Sequence, residues 1–239
     1  MAYYRDTVTD KSWATLQMLR HEYDFVLIGG WAVWLYTHKL KSKDIDIIVS
    51  MDSLVKIKER FTVTKNNRLS KYEARRDEIQ IDMYVPFWSK LGLPAEDIMA
   101  LSRTIDGFRV PPPEILVILK QIAHEARAGS SKGYKDMVDI MSVLRLPEFD
   151  WHAYCMHAKK INKELILSLS DIILHTTQVP ELNLNVHHFS KLKKDWLTAL
   201  KDFDTQVTRN PLSLAGTFQS KRTKKHPVDR IRDFISYER

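Results

Sequence analysis

Two apolar runs, separated by a glycine pair and a basic segment, limit the folds open to this chain. The first, Phe25-Val26-Leu27-Ile28, ends at Gly29-Gly30. The second, Ile45-Asp46-Ile47-Ile48-Val49, is entered through Ser42-Lys43-Asp44. A four-residue apolar run bounded by glycine reads as a short buried strand, and residues 31–38 after it read as a helix whose start faces the strand end. On the second strand, positions i and i+2 share a face, so Asp44 and Asp46 point one way while Ile45 and Ile47 point into the core. Like charges placed this way repel unless a cation lies between them. Behind a glycine turn that can receive phosphate at a helix start, the pair reads as a divalent-metal site for a nucleotide.

The rest of the first half alternates helix and strand. Trp13, Leu16, Met18 and Leu19 have helical spacing, with Thr9 or Asp10 expected as the N-cap. Residues 51–61 read as a helix, and residues 69–75 and 78–85 as two antiparallel strands joined at Arg76-Asp77. The second of these alternates cleanly, with Ile79, Ile81, Met83 and Val85 on one face and Gln80, Asp82 and Tyr84 on the other. Residues 94–101 read as helical, and Asp106-Gly107 as the turn of a small hairpin. Pro111-Pro112-Pro113 ends the hairpin and opens a helix over residues 114–128. Beyond it the pattern is helical: residues 134–144, 150–160, 162–176, 186–204 and 227–237. The expected architecture is an α/β (α+β) domain with a small mixed sheet over residues 1–110 and an all-helical domain over residues 111–239.

If the strands carrying Asp44 and Asp82 are neighbours, Asp44, Asp46 and Asp82 converge. Such a trio suits two Mg²⁺ ions, with Mn²⁺ as a substitute, roughly 3.5–4 Å apart and clamping the two oxygens of an in-line displacement. Asp44 and Asp46 would hold metal on a triphosphate. Asp82 would hold the metal that activates the acceptor hydroxyl, and would take its proton. Gly29 and Gly30 leave backbone N–H groups open to phosphate.

The sequence from Leu27 to Val49 resembles the signature of the DNA polymerase beta-like nucleotidyltransferases: apolar strand, Gly29-Gly30, helix, then Ser42-x-Asp44-x-Asp46. Asp82 in Ile81-Asp82-Met83 suits that superfamily's third carboxylate. In the helical half, Lys120-x-x-Ala123-x-x-x-Arg127 and Lys135-Asp136-x-x-Asp139 are similar to motifs of the AbiEii-like nucleotidyltransferases, which include toxins of toxin–antitoxin and phage-defence systems. The resemblance spans residues 25–144. It implies that Ser42 belongs to the nucleotide site, that Lys120 and Lys135 bind phosphate, and that Asp136 or Asp139 positions a base, ribose or acceptor group. On a helix Asp136 and Asp139 share a side, and Lys120 and Arg127 stand two turns apart, so these cations can neutralise departing pyrophosphate. The same residues also suit a salt-bridged helix pair. Two positions depart from the family: Gly133 stands where related sequences often carry arginine, and Trp31 follows the glycine pair where a small hydroxyl residue is common.

Composition sets the remaining expectations. The chain has 239 residues, 44% of them hydrophobic, and no run approaches the roughly 20 apolar residues of a membrane span. The start, Met1-Ala2-Tyr3-Tyr4-Arg5-Asp6, has no signal-peptide core, and the expected location is the cytoplasm, away from membranes. A lone cysteine, Cys155, excludes an internal disulfide and a cysteine-rich zinc site. The nine histidines do not form a helical zinc pair: His187 and His188 are adjacent, and His152 and His157 miss the i+4 spacing. Residues 191–239 hold 12 of the 37 Lys and Arg but 6 of the 30 Asp and Glu, so nearly all of the net charge of +7 is C-terminal. That asymmetry suits an RNA acceptor such as a tRNA end. A protein or small-molecule hydroxyl, a cognate antitoxin, and a catalytically silent nucleotide- or partner-binding module all stay open.

Overall fold

The computed structural model describes residues 6–209 of the chain. Helix α1 (Asp6–Glu22) leads into β1 (Phe25–Ile28), α2 (Gly29–Thr37), β2 (Ile45–Val49), α3 (Met51–Arg60) and β3 (Val63–Asn66). The hairpin β4 (Lys71–Arg76) and β5 (Ile79–Tyr84) comes next. Helix α4 (Ala95–Leu101) and the hairpin β6 (Arg103–Ile105) and β7 (Phe108–Val110) follow. The remaining helices are α5 (Pro113–Ala126), α6 (Ser131–Val143), α7 (Trp151–Ile161), α8 (Glu164–His175) and α9 (Val186–Arg209).

The strands form one mixed seven-stranded sheet in the order β3-β4-β5-β2-β1-β7-β6. β1 and β2 are antiparallel with Leu27 opposite Ile47, and β2 and β5 are parallel with Ile45 opposite Ile81 and Ile47 opposite Met83. The apolar side chains of these central strands are almost wholly withdrawn from water, which is why β1 reads as a continuous apolar run rather than an alternating one. An aromatic cluster ties α1 and α2 to β7: the ring of Trp13 lies 5.0 Å from Trp31, 5.1 Å from Trp34 and 5.6 Å from Phe108. Helix α2 packs on β1 and β2 and also against α5 and α6, so it links these two helices to the sheet.

Most expected elements are present, with four corrections. Helix α1 begins at Asp6, so Thr9 and Asp10 lie within it and do not cap it. Helix α2 begins at Gly29 rather than Trp31, because Gly29 takes a φ of +69° that turns the strand directly into the helix. Strand β3 was not expected: at the sheet edge its residues are half-buried or exposed, leaving no apolar periodicity to read. The β4–β5 turn is Asp77-Glu78, one residue later than the pattern suggested. The helix expected over residues 227–237 lies outside the described residues. The last described strand ends at Val110; the division into an α/β domain over residues 1–110 and a helical domain over residues 111–239 stands as a proposal. The compact unit that carries the site ends at Lys201.

Candidate active site

Strand pairing brings the carboxylates together. The parallel register of β2 and β5 places Asp46 directly beside Asp82, and the antiparallel register of β1 and β2 places Asp46 opposite Ile28, where the glycine turn begins. Asp44 sits one residue ahead of β2. All three line a cleft of about 440 Å³, a size that accommodates a nucleotide. A Cβ on Gly29 would run into the Asp46 carboxylate, and one on Gly30 would lie 2.7 Å from Ser42 Oγ and 3.0 Å from Lys135 Nζ. The close approach of the turn to these side chains therefore requires both glycines. The first turn of α2 has no side-chain cap, so its N–H groups and the positive end of its dipole are open to an anion.

The carboxylates differ in environment. Asp46 is half-buried and lines the cleft. Burial, then the Asp82 charge, lift its pKa to about 6 against the opposing pull of Lys120, with Asp44 adding to the rise. Asp82 is buried, and both its oxygens accept hydrogen bonds: Oδ2 from Lys71 Nζ at 2.6 Å and Oδ1 from Gln80 Nε2 at 2.9 Å. Asp44 meets the exposed ammonium of Lys132 at 3.4 Å. Burial, reinforced by Asp46 and Asp82, holds the Tyr84 phenol well above its ordinary pKa.

Among the described residues no three His, Cys, Asp or Glu side chains form a ready-made metal cluster. Asp44 and Asp46 nonetheless fit Mg²⁺, which commonly binds through one or two carboxylates and completes its shell with substrate phosphates and water. The raised pKa of Asp46 marks a charge that a cation would relieve.

Opposite the sheet, α5 and α6 present a buried ionic network. Lys120 Nζ lies 3.0 Å from Asp136 Oδ1 and 2.6 Å from Asp139 Oδ2, Arg127 Nε lies 2.6 Å from Asp136 Oδ2, and Lys135 Nζ lies 3.1 Å from Asp139 Oδ2. Burial disfavours the Lys120 ammonium, but Asp139 and Asp136 outweigh it and hold its pKa above the ordinary value. Burial would raise Asp136, but Lys120 and Arg127 keep it low. At Lys135 burial prevails and lowers the pKa. Asp136 and Asp139 are almost wholly enclosed, whereas the Arg127 side chain is 41% exposed and reaches the cleft mouth.

Gly29, Asp44, Asp46, Asp82, Lys120, Arg127 and Asp136 line the main cleft. Gly30, Ser42 and Lys135 line a recess continuous with its carboxylates. Asp139 lines neither and stands behind the two lysines it pairs with. The two positions that depart from the resembled motifs have local causes. Trp31 points into the core and donates from Nε1 to Ser12 Oγ at 2.9 Å. At Gly133 a Cβ would collide with the Arg127 carbonyl oxygen, so the close approach of α6 to the end of α5 excludes a side chain there. Gln80 and Tyr84, on the polar strand face of Asp82, also line the cleft, as do Lys71, Lys90 and Lys132, which no local motif marks. The alternation of the β4–β5 hairpin was the available signal for Lys71: a one-residue change in turn position leaves Lys71 on the face of Asp82.

No protein-family model matches the chain, and no curated protein matches it. The structure is similar to that of JHP933 from Helicobacter pylori, with 14% identity, 88% of this chain and 97% of that chain covered and a TM-score of 0.48. It is also similar to an antigenic nucleotidyltransferase-like protein from Paracoccidioides brasiliensis, with 17% identity, 79% and 93% covered and a TM-score of 0.43.

Proposed function

We propose that the chain is a metal-dependent nucleotidyltransferase that moves a nucleoside monophosphate from a nucleoside triphosphate to an acceptor hydroxyl. The observation that carries this reading is the β2–β5 register, which sets Asp46 beside Asp82, with Asp44 and the Gly29-Gly30 turn in one cleft and a lysine–arginine wall across it. The motif pattern that resembles the polymerase beta-like superfamily falls on these same residues.

Asp44 and Asp46 would hold Mg²⁺, which supplies charge neutralisation at the α-phosphate and orients the triphosphate. The Gly29-Gly30 turn and the open start of α2 bind phosphate oxygens through backbone N–H groups. Lys120, Lys135 and Arg127 face the β- and γ-phosphates and the charge that builds on the leaving group. The acceptor oxygen forms a bond to the α-phosphorus as the bond to the bridging oxygen breaks, and that electron pair leaves with pyrophosphate. The hydroxyl proton passes to Asp82. The apolar wall from Leu116, Leu119, Ile122 and Ala123 offers the nucleobase a place to lie.

The basic excess in residues 191–239 supports RNA as the acceptor and, with the family resemblance, a toxin or defence role with a cognate antitoxin in the cytoplasm. Among the described residues no helix is long and apolar enough to cross a membrane. The test is transfer of label from each α-labelled triphosphate into RNA, protein and small molecules of a cell extract. Label entering protein or a small molecule replaces the RNA assignment. Asp44→Asn and Asp46→Asn each remove several kcal/mol of charge stabilisation, a rate loss of roughly a thousandfold. Transfer at the parental level in either variant sinks the metal assignment, and no transfer by the parent with any triphosphate leaves a binding module.

A further inference from the structure

Asp82 already has a cation, and that cation belongs to the chain. Strand β4 runs antiparallel to β5 with Glu73 opposite Asp82 and Tyr72 opposite Met83, which puts Lys71 diagonally across from Asp82 on the cleft face. The Lys71 and Asp82 side chains are 9% and 11% exposed, so the pair is largely withdrawn from water in the cleft wall. Lys71 Nζ lies 2.6 Å from Asp82 Oδ2 and 3.0 Å from Glu73 Oε1. Glu73 Oε1 is itself held by Asn66 Nδ2 at 3.0 Å, and Gln80 Nε2 holds the second Asp82 oxygen at 2.9 Å. The ammonium is thus fixed from two strands, and the carboxylate it neutralises accepts one hydrogen bond on each oxygen. Asp44 is different: its partner is the exposed Lys132 at 3.4 Å, a contact that a metal or phosphate can displace at little cost.

We propose that Lys71 takes the place of one of the two metal ions expected at this site, so that the centre holds a single divalent cation between Asp44 and Asp46 and an ammonium at Asp82. This inference rests on the nucleotidyltransferase reading and refines it. A metal ion bound at roughly 2.0–2.1 Å from an Asp82 oxygen would stand within a few ångströms of an ammonium that contacts the same carboxylate. The repulsion between them would have to be met by a lysine that is largely buried and paired to both Glu73 and Asp82. Lys71 is a positioning residue that holds Asp82 at the cleft wall, where a remaining lone pair of its carboxylate accepts the hydroxyl proton.

The test counts ions by anomalous diffraction from crystals of the full chain grown with Mn²⁺ and a non-hydrolysable triphosphate. The parent is expected to show one Mn²⁺ between Asp44 and Asp46, with Lys71 still on Asp82. Lys71→Met, which vacates Asp82, is expected to show a second ion there. Because that substitution strands a buried carboxylate, Asp82→Asn provides a second variant without a stranded charge, and it is expected to keep the single ion. A second ion on Asp82 in the parent, one ion only in Lys71→Met, or loss of an ion in Asp82→Asn overturns the inference and leaves the nucleotidyltransferase reading standing. A parent with no ion at Asp44 and Asp46 overturns both.

Discussion

At Asp46 the pKa of about 6 in the folded chain lies above the unfolded carboxylate value of roughly 3.9, so proton uptake favours the folded state. The contribution is complete below pH ~3.9 and is lost as pH rises through about 6, a difference of about 3 kcal/mol for a two-unit shift. Calorimetry of the metal-free protein is therefore expected to show stability falling across this window. Mg²⁺ at millimolar concentration should raise Tm more at pH 7.5 than at pH 5, because it binds the ionised form. Gly29 governs the same carboxylate from the other side. Gly29→Ala places an L residue at a φ of +69° and its Cβ against Asp46. A loss of about 1–2 kcal/mol from the backbone alone, read by thermal unfolding, should accompany loss of nucleotidyl transfer. Spacing within one segment was enough to find Gly29, Gly30, Asp44 and Asp46. Lys71 is marked only by the β4–β5 pairing that sets it diagonally across from Asp82.

Helices α5 and α6 meet through charges rather than through apolar packing alone. Asp136, buried between Lys120 and Arg127, holds the end of α5 to the first half of α6. Asp136→Ala leaves two cations without their shared partner and should cost about 3–5 kcal/mol in urea unfolding. Triphosphate affinity measured on the same variant separates two roles. A network that only locks the helices changes stability and leaves affinity at the parental level once the protein is folded, whereas a nucleotide-site role lowers both. The motif spacing showed that these charges share helix faces. It did not show that they satisfy one another, since pairing depends on how α6 turns back on α5, through the close approach that Gly133 permits. Elements with a strong apolar period were readable, as were hairpins with a turn signal: Asp106 and Gly107 take φ values of 49° and 77°, as a two-residue hairpin turn requires. Strand β3 has neither signal.

Across the whole molecule, charge separates the ends. Residues 210–239 carry seven Lys and Arg against three Asp and Glu. Deleting them should weaken RNA binding and reduce the slope of log affinity against log salt, while binding of the triphosphate stays at the parental level. Filter binding at several salt concentrations measures the first, and equilibrium titration the second. The amino-acid sequence by itself determined the alternation of helix and strand, the glycine turn, the common placement of Asp44 and Asp46 at the start of β2 and the helices between residues 113 and 209, because each follows from the pattern of neighbouring residues along the chain. Only the tertiary structure decided that β2 and β5 are adjacent and parallel with Asp46 beside Asp82. It also decided that Asp136 and Asp139 face the lysines rather than solvent and that Lys71 occupies Asp82. Those placements depend on strand order, register and helix packing, contacts between residues far apart in the chain that no local period encodes.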